Sequence, residues 1–547
     1  MAELLHTAHQ HHPKSIFMTS GDGIESSIDD VYKQSVDVAC SLLYLNLNDV
    51  ILFTENSPRQ VIVLLGTLLA GGRASIVYHN SSTKMCEYVV KQTQSKVIFV
   101  DSRERYEMVR DLVDTVVIMY DDNSWSHFNS MGRCEPYPSL PKPQPIDCCI
   151  IIYTSGTTGN PKGVMLSHDN LVFSANAHIE NNPILLSEPI RVISHLPMSH
   201  IGALMNDVFV PLMCITRGQQ ATLFFSSDSL TTTLIKVRPT MLFCVPRLWE
   251  RIEIDCKKIE HNLNGFLHKS VKKLCSISHK NRQVGGSKFL VNIDILARKY
   301  MRKHILEKIG LDKINLPLTG GAYTNLETLE YFGSIGFDVL GAYGMSELMG
   351  VQTVSRPDFF IDGYSGVPVD GTEVRVDDDT GELCFRGRQV TVGYYGQSEK
   401  CVDENGWFHT GDIGEIHDTG HIRVIGRIDD LIVTSTGNKI VPDPIESHLQ
   451  CECQDINRVI LVGDNQKFVT ALIEPTTGGD ISCILETVEA YNNNHCKSKS
   501  ETIRRVTLVK ITEEEVTPSN KIKRRKILKK YEDEIRAMYF DVKTSGI

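Results

Sequence analysis

Short apolar runs recur along the first three quarters of the chain, each bounded by polar or turn-forming positions. The clearest are VILFTEN (50–56), KVIFVD (96–101), CCIIIYT (148–154), RVISHLP (191–197), TMLFCVP (240–246) and DVLGAYG (338–344). Runs that are apolar at nearly every position fit strands covered on both faces, as in parallel sheets. Longer mixed stretches separate them and fit helices, so the pattern predicts α/β layering. The prolines at 136, 138, 141, 143 and 145 predict an extended connector before the strand at 148.

After about residue 365 the pattern changes. TEVRV, GELCFRG and GEIHDTGHIRVIGR read as short hairpin strands, with Asp418-Thr419-Gly420 at a turn. From about 428 a smaller α+β pattern follows and ends in a basic segment. The expected organisation is a large N-terminal α/β domain of layered sheets and helices, residues 1–427, and a small α+β C-terminal domain, residues 428–547.

Length agrees with this division, because 547 residues exceed what one core serves. A net charge of -10 argues against a nucleic-acid partner, which wants a basic face. The 15 cysteines form no repeating framework, and Cys148-Cys149 and Cys451/Cys453 lack zinc-site spacing. A reduced, cytoplasmic setting is expected. The opening MAELLHTAHQHHPK carries no secretory apolar run, and His6, His9, His11 and His12 are expected on a mobile, solvated terminus. Val61–Ala70 is too short to span a bilayer, so any membrane contact would be peripheral. The ending Thr544-Ser545-Gly546-Ile547 matches neither a peroxisomal nor an ER address.

The richest chemistry lies in TSGTTGNPKG, Thr154 to Gly163, directly after an apolar strand. Gly156, Gly159 and Gly163 permit tight turns that aim backbone N–H groups at an anion. Thr154, Ser155, Thr157 and Thr158 add hydroxyl donors, Asn160 and Pro161 continue the turn, and Lys162 adds charge. No Walker spacing and no G-x-G-x-x-G is present. Such density after a buried strand suits a phosphate.

YTSGTTGNPKGVMLSH resembles the signature loop of the adenylate-forming superfamily: acyl-CoA synthetases, luciferases and peptide-synthetase adenylation domains. The resemblance implies a loop on the β- and γ-phosphates of ATP, with Thr158 also near the metal. LPMSHIGALMND (196–207) resembles the segment that places His200 beside the acyl carboxylate. LTGGA (318–322) resembles the adenine-side wall, with Gly320, Gly321 and Ala322. In AYGMSE (342–347), Ala342, Gly344, Met345 and Ser346 flank Tyr343, an aromatic face for adenine, and Glu347, a carboxylate for Mg²⁺. GWFHTGD ends in Asp412, suited to accept both ribose hydroxyl protons, and GRIDD puts Arg427 near the same sugar. The resemblance makes Asp429 a hinge for a mobile small domain. It also makes Gly437, Asn438 and Lys439 part of a loop on the coenzyme A side. In TPSNKIKRRK (517–526), Lys521 matches a lysine that contacts the carboxylate and the α-phosphate.

The texture of ENSPRQVIVLLGTLLAGG, VRPTMLFCVPRLWERI, YFGSIGFDVLGAYGMSE and GELCFRGRQVTVGYY is similar to long-chain acyl-CoA synthetases of the bubblegum type. Departures are Thr436 and Asn438 where relatives carry glycine and glutamate, GRIDD without a lysine–glutamate pair, and Tyr323 in place of proline. The resemblance implies ATP, Mg²⁺ and coenzyme A as co-reactants, with a long-chain fatty acid converted through an acyl-adenylate. A carrier-protein acceptor, a luciferase-like oxygenase and a catalytically inactive fatty-acid binder are the competing readings.

Overall fold

The computed structural model describes residues 2–133, 139–154, 161–226, 228–263, 265–283, 294–398, 400–496, 498–517 and 521–540. Its largest sheet has seven strands, in the spatial order Gly393–Tyr394, Lys162–Ser167, Cys148–Thr154, Arg73–Ile76, Asp49–Phe53, Val97–Val100, Thr115–Ile118. The five from Cys148–Thr154 onward pair in parallel, and the other two add antiparallel at that edge. Val97 to Val100 are all buried, which explains their unbroken apolar sequence.

A second sheet runs Met241–Cys244, Leu316–Thr319, Leu340–Met345, Gly350–Val354, Val367–Pro368, parallel through its first three strands. The LTGGA and AYGMSE strings therefore lie where parallel strands end, the usual ligand edge of an open α/β sheet. A third sheet joins Glu25–Ser27, Ile16–Thr19, Ala221–Phe224 and Ile190–Ile193. An antiparallel sheet follows, Glu373–Val376, Glu382–Arg386, Phe408–Ile416 and Ile422–Arg427. Its last hairpin turns through Gly420 at φ +84°, a backbone region that favours glycine.

Helix Pro246–His261 carries the VPRLWE string. Its Trp249 is fully buried, packs edge-on against Phe332 at 5.4 Å, and donates its ring N–H to the Leu318 carbonyl at 3.1 Å. That one side chain fastens the helix to the strand leading into LTGGA; truncating a buried Trp to Ala costs about 3–5 kcal/mol. Residues 432–503 bury a core of their own around Leu449, Val459 and Ile473, between helix Pro442–Glu452 and the sheet Ile456–Val462, Val469–Pro475, Ile503–Leu508.

Two local expectations need correction. The N-terminal segment is no solvated tail: Ala2–His11 is a helix with Leu5 and Ala8 buried. His9 stacks on Tyr32 and pairs with Asp29 at 3.0 Å. Two apolar positions three apart suffice to anchor a short helix once a core lies beneath them. The RVISHLP strand is also shorter, ending at Ile193. Among the described residues no helix is long and apolar enough to cross a membrane, and the described cysteines are free.

Candidate active site

Strands Cys148–Thr154 and Lys162–Ser167 form a hairpin whose register puts Thr154 opposite Lys162. Ser155, Gly156, Thr157, Thr158, Gly159 and Asn160 lie outside the described residues. Both ends of the loop are held: Tyr88 donates to the Pro161 carbonyl at 3.0 Å, and the Thr154 hydroxyl reaches the Lys162 carbonyl at 3.4 Å. The Lys162 ammonium sits 5.0 Å from the centre of the Tyr394 ring. Tyr394 in turn donates its hydroxyl to Glu347 at 3.1 Å.

Glu347 follows the strand Leu340–Met345 in a short 3₁₀ turn, Ser346–Leu348, and is buried. Burial raises its pKa, against the hydrogen bond from Tyr394 and the charges of Arg427 and Lys162. A buried carboxyl with incomplete compensation favours a cation beside it. The same strand places Tyr343, whose hydroxyl donates to Asp412 at 2.6 Å. A side chain at Gly344 would start 1.7 Å from the Gly350 carbonyl, so only glycine lets the strands approach here. Gly321 adopts φ +84° just past strand Leu316–Thr319, and Gly320 packs against the Ala342 carbonyl.

Asp412 and Arg427 face each other across the antiparallel pair and join at 3.2 Å. Asp412 therefore collects Tyr343 and Arg427 on one buried carboxylate. Burial raises its pKa, while Arg427, the Tyr343 hydrogen bond and Lys521 pull it down. The Arg427 Nε is buried without a partner among the described residues.

Lys521 sits beyond a turn closed by its carbonyl, which accepts from Thr517 N–H at 2.8 Å. It keeps an exposed surface. Enough protein nevertheless surrounds the ammonium that burial is the strongest influence and lowers its pKa. Asp412, Asp443 and Glu347 attract it, and Arg427 repels it. His200 directly precedes the helical turn Ile201–Leu204, with the Tyr78 ring edge-on at 5.1 Å and its hydroxyl 3.1 Å from Nδ1. Burial and the nearby Lys521 charge lower the His200 pKa to about 4. His200, Asp412, Glu347 and Arg427 thus all lie within electrostatic reach of Lys521.

The remaining candidates lie to one side. Asp429 occupies the turn Ile428–Asp430 and meets Arg525 at 3.8 Å, an exposed pair that costs little to break. Gly437 and Asn438 form the tip of a hairpin between Ile432–Val433 and Lys439–Ile440. Gly437 has φ +82° with open space around it, and Asn438 donates to Ser500 at 2.8 Å.

The family profile described as AMP-binding enzyme matches residues 5–395, and that of the AMP-binding enzyme C-terminal domain matches 429–543. The chain belongs to the AMP-binding enzyme family. Among its relatives is a Gallus gallus protein named long-chain-fatty-acid–CoA ligase ACSBG2, 34% identical over 79% of this chain and 60% of that protein. The Xenopus laevis protein of the same name is 30% identical over 89% of this chain and 76% of that one. The fold is that of MatB from Rhodopseudomonas palustris, solved with ATP, at TM-score 0.75 and 21% identity, covering 97% and 99% of the two chains. It is equally that of o-succinylbenzoate coenzyme A synthetase (MenE) from Bacillus subtilis, solved with AMP, at TM-score 0.73 and 20% identity, covering 96% and 97%.

Within this family member, three residues that the sequence reading missed complete the cleft. Tyr394 links the hairpin of Cys148–Thr154 and Lys162–Ser167 to Glu347. Tyr78 holds His200, and Asp443, at the start of helix Pro442–Glu452, adds a charge opposite Lys521. Tyr394 stands in the string GYYG, an aromatic pair between glycines that a reader of the sequence has reason to notice. Tyr78 and Asp443 carry no local signal.

Proposed function

We propose that this chain is an ATP-dependent long-chain fatty acid–CoA ligase, converting acid, ATP and coenzyme A to acyl-CoA, AMP and diphosphate. The observation that carries the reading is the convergence of Lys162, Tyr343, Glu347, Asp412, Arg427 and Lys521, from segments far apart in sequence, around one cleft. A tight cluster of three cations and two carboxylates, with an aromatic ring, suits a nucleoside triphosphate better than a neutral ligand. Names borne by relatives that are 30–34% identical support the acid and the thiol acceptor.

Asp412 accepts the ribose hydroxyls, Arg427 fixes that carboxylate, and the Tyr343 ring faces the base between Gly320–Ala322 and the strand 342–346. Lys162 and the hydroxyls of the 154–160 loop hold the β- and γ-phosphates. A single buried carboxylate fits a Mg²⁺ ion, which takes its other ligands from phosphate and water; Glu347 would hold it, with Thr158, and the ion would neutralise triphosphate charge. A carboxylate oxygen of the acid attacks the α-phosphorus, the bond to the β-phosphate oxygen breaks, and diphosphate leaves. Lys521 draws the two anions together and stabilises the charge that develops between them, so positioning and electrostatics carry the rate. His200, neutral at physiological pH, lines the carboxylate side without adding charge. The coenzyme A thiolate then attacks the acyl carbon and AMP departs.

Residues 1–427 act as the ATP- and acid-binding domain, and 428–547 swing about Asp429 between the two steps. The exposed Asp429–Arg525 pair resists such a movement little. Rotation would withdraw Lys521 and bring Gly437, Asn438 and Lys439 to the thiol. Free thiols throughout the described residues support a cytoplasmic setting.

Purified protein given Mg²⁺, ATP and a palmitate-class acid should release diphosphate, and added coenzyme A should convert the bound intermediate to thioester. Diphosphate without thioester would point to another acceptor. Acid binding with no diphosphate release from a broad panel of carboxylates would overturn the proposal in favour of a binder.

A further inference from the structure

Two helices that carry none of the candidate site residues have a feature that ligation does not use. Phe266–Arg282 holds five Lys/Arg and no acidic residue, and Asp294–His304 holds four against one buried aspartate, in a chain of net charge -10. They lie antiparallel: Ser278 bonds Asp294 near one end, and the rings of His268 and Tyr300 stand 6.1 Å apart near the other. Cys275, Ala297 and Met301 pack on one common core, so both outer stripes face the same side.

Those stripes combine two kinds of side chain. Phe266 is 89% exposed and Leu296 78%, with Leu267, Ile277 and Ile295 also open to solvent. Between them stand Lys269, Lys273, Lys280, Lys299, Arg302 and Lys303, none of which pairs with a carboxylate among the described residues. The basic residues that face inward are engaged: Lys272 with Glu260, Arg282 with Asp294 and Asp338, Arg298 with Asp338. The unpaired cations thus belong to the outer face alone.

We propose that this helix pair docks the protein peripherally on an anionic lipid bilayer, the lysines and Arg302 on headgroups and Phe266, Leu267 and Leu296 in the interface. Large apolar side chains interleaved with unpaired cations are what an interfacial helix presents. A phosphodiester backbone would satisfy the cations and leave the leucines and isoleucines in water. A second copy of the same face would meet like charge. The inference is independent of the reading of the cleft, since vesicle binding needs neither ATP nor acid.

The test is flotation of the full chain with phosphatidylcholine vesicles, with and without phosphatidylserine. Binding should require phosphatidylserine and weaken with salt. Lys269→Glu/Lys273→Glu/Lys280→Glu should lower partitioning at least about tenfold, given the contribution of each basic residue at such a surface. Phe266→Ser/Leu296→Ser should retain binding at low salt and lose it at high salt. Unchanged far-UV circular dichroism and Tm in both variants show that they fold. Absence of wild-type flotation with phosphatidylserine, or equal flotation of all three proteins, overturns the proposal. So does wild-type binding to double-stranded RNA alone, which would make the face a nucleic-acid site.

Discussion

Lys521→Ala separates the two half-reactions if the cleft works as described. In the structure the ammonium is drawn by Asp412, Asp443 and Glu347 and opposed by Arg427. Removing it leaves three carboxyl groups facing an incoming carboxylate and a triphosphate with one fewer positive charge. Loss of a preorganised group aimed at developing charge costs about 3–4 kcal/mol, or roughly 10²–10³ in rate. Diphosphate release should therefore fall by about that factor, while thioester formation from supplied acyl-AMP and coenzyme A stays near wild type. The fold should not suffer. Burial lowers the Lys521 pKa, so the native state disfavours the charged lysine relative to the unfolded chain, and Tm should hold or rise. The same shift sets a pH signature. The ammonium loses its proton below the ordinary lysine value of 10.5, so wild-type adenylation should decline earlier on the alkaline side than a free lysine would allow. Lys521→Arg, charged throughout, should lack that limb. Equal loss in both half-reactions would refute the assignment.

Asp412→Asn keeps the shape but removes the charge proposed to bind the ribose hydroxyls; about 1–3 kcal/mol of charge-assisted bonding should go, and KM for ATP should rise about tenfold to a hundredfold at unchanged chain-length preference. An ATP dependence identical to wild type contradicts the role. Glu347→Gln should raise the Mg²⁺ concentration needed for half-maximal diphosphate release, and a variant with the wild-type Mg²⁺ titration removes that residue from the ion. A structural prediction concerns His279, buried between Asp338 and Asp362 at 2.7 Å from each. Burial opposes its charge, but those two hydrogen bonds outweigh it and raise the pKa to about 9 from 6.5. A raised pKa stabilises the fold fully below about 6.5 and progressively less as pH climbs through 9. His279→Gln should therefore cost on the order of 3 kcal/mol at pH 6 and much less at pH 9.5 by denaturant melts; a pH-independent loss contradicts the charged pair.

Much of the candidate site was legible along the chain because its residues come in short contiguous strings. The apolar strand CCIIIYT before TSGTTGNPKG, the glycines after LPLT and the tyrosine of AYGM each stand out within a few residues. Strand existence was equally legible, since a strand buried on both faces is apolar throughout. What periodicity reports is only the burial of an element, not the identity of what covers it.

Tertiary structure decided the rest. Asp412 meets Arg427 only because a hairpin with a register shift at Ile413/Gly414 brings them opposite, and Tyr343 reaches Asp412 only because two separate sheets abut. Tyr394 and Tyr78 gained their places from sheet order and helix placement, which no local string encodes. The histidine-rich N-terminus looked solvated because two apolar residues make a weak pattern; the core beneath them turned it into a helix. Local sequence fixes backbone and burial at short range, whereas partnerships between distant side chains depend on how sheets and helices pack, and that is settled only when the whole chain folds.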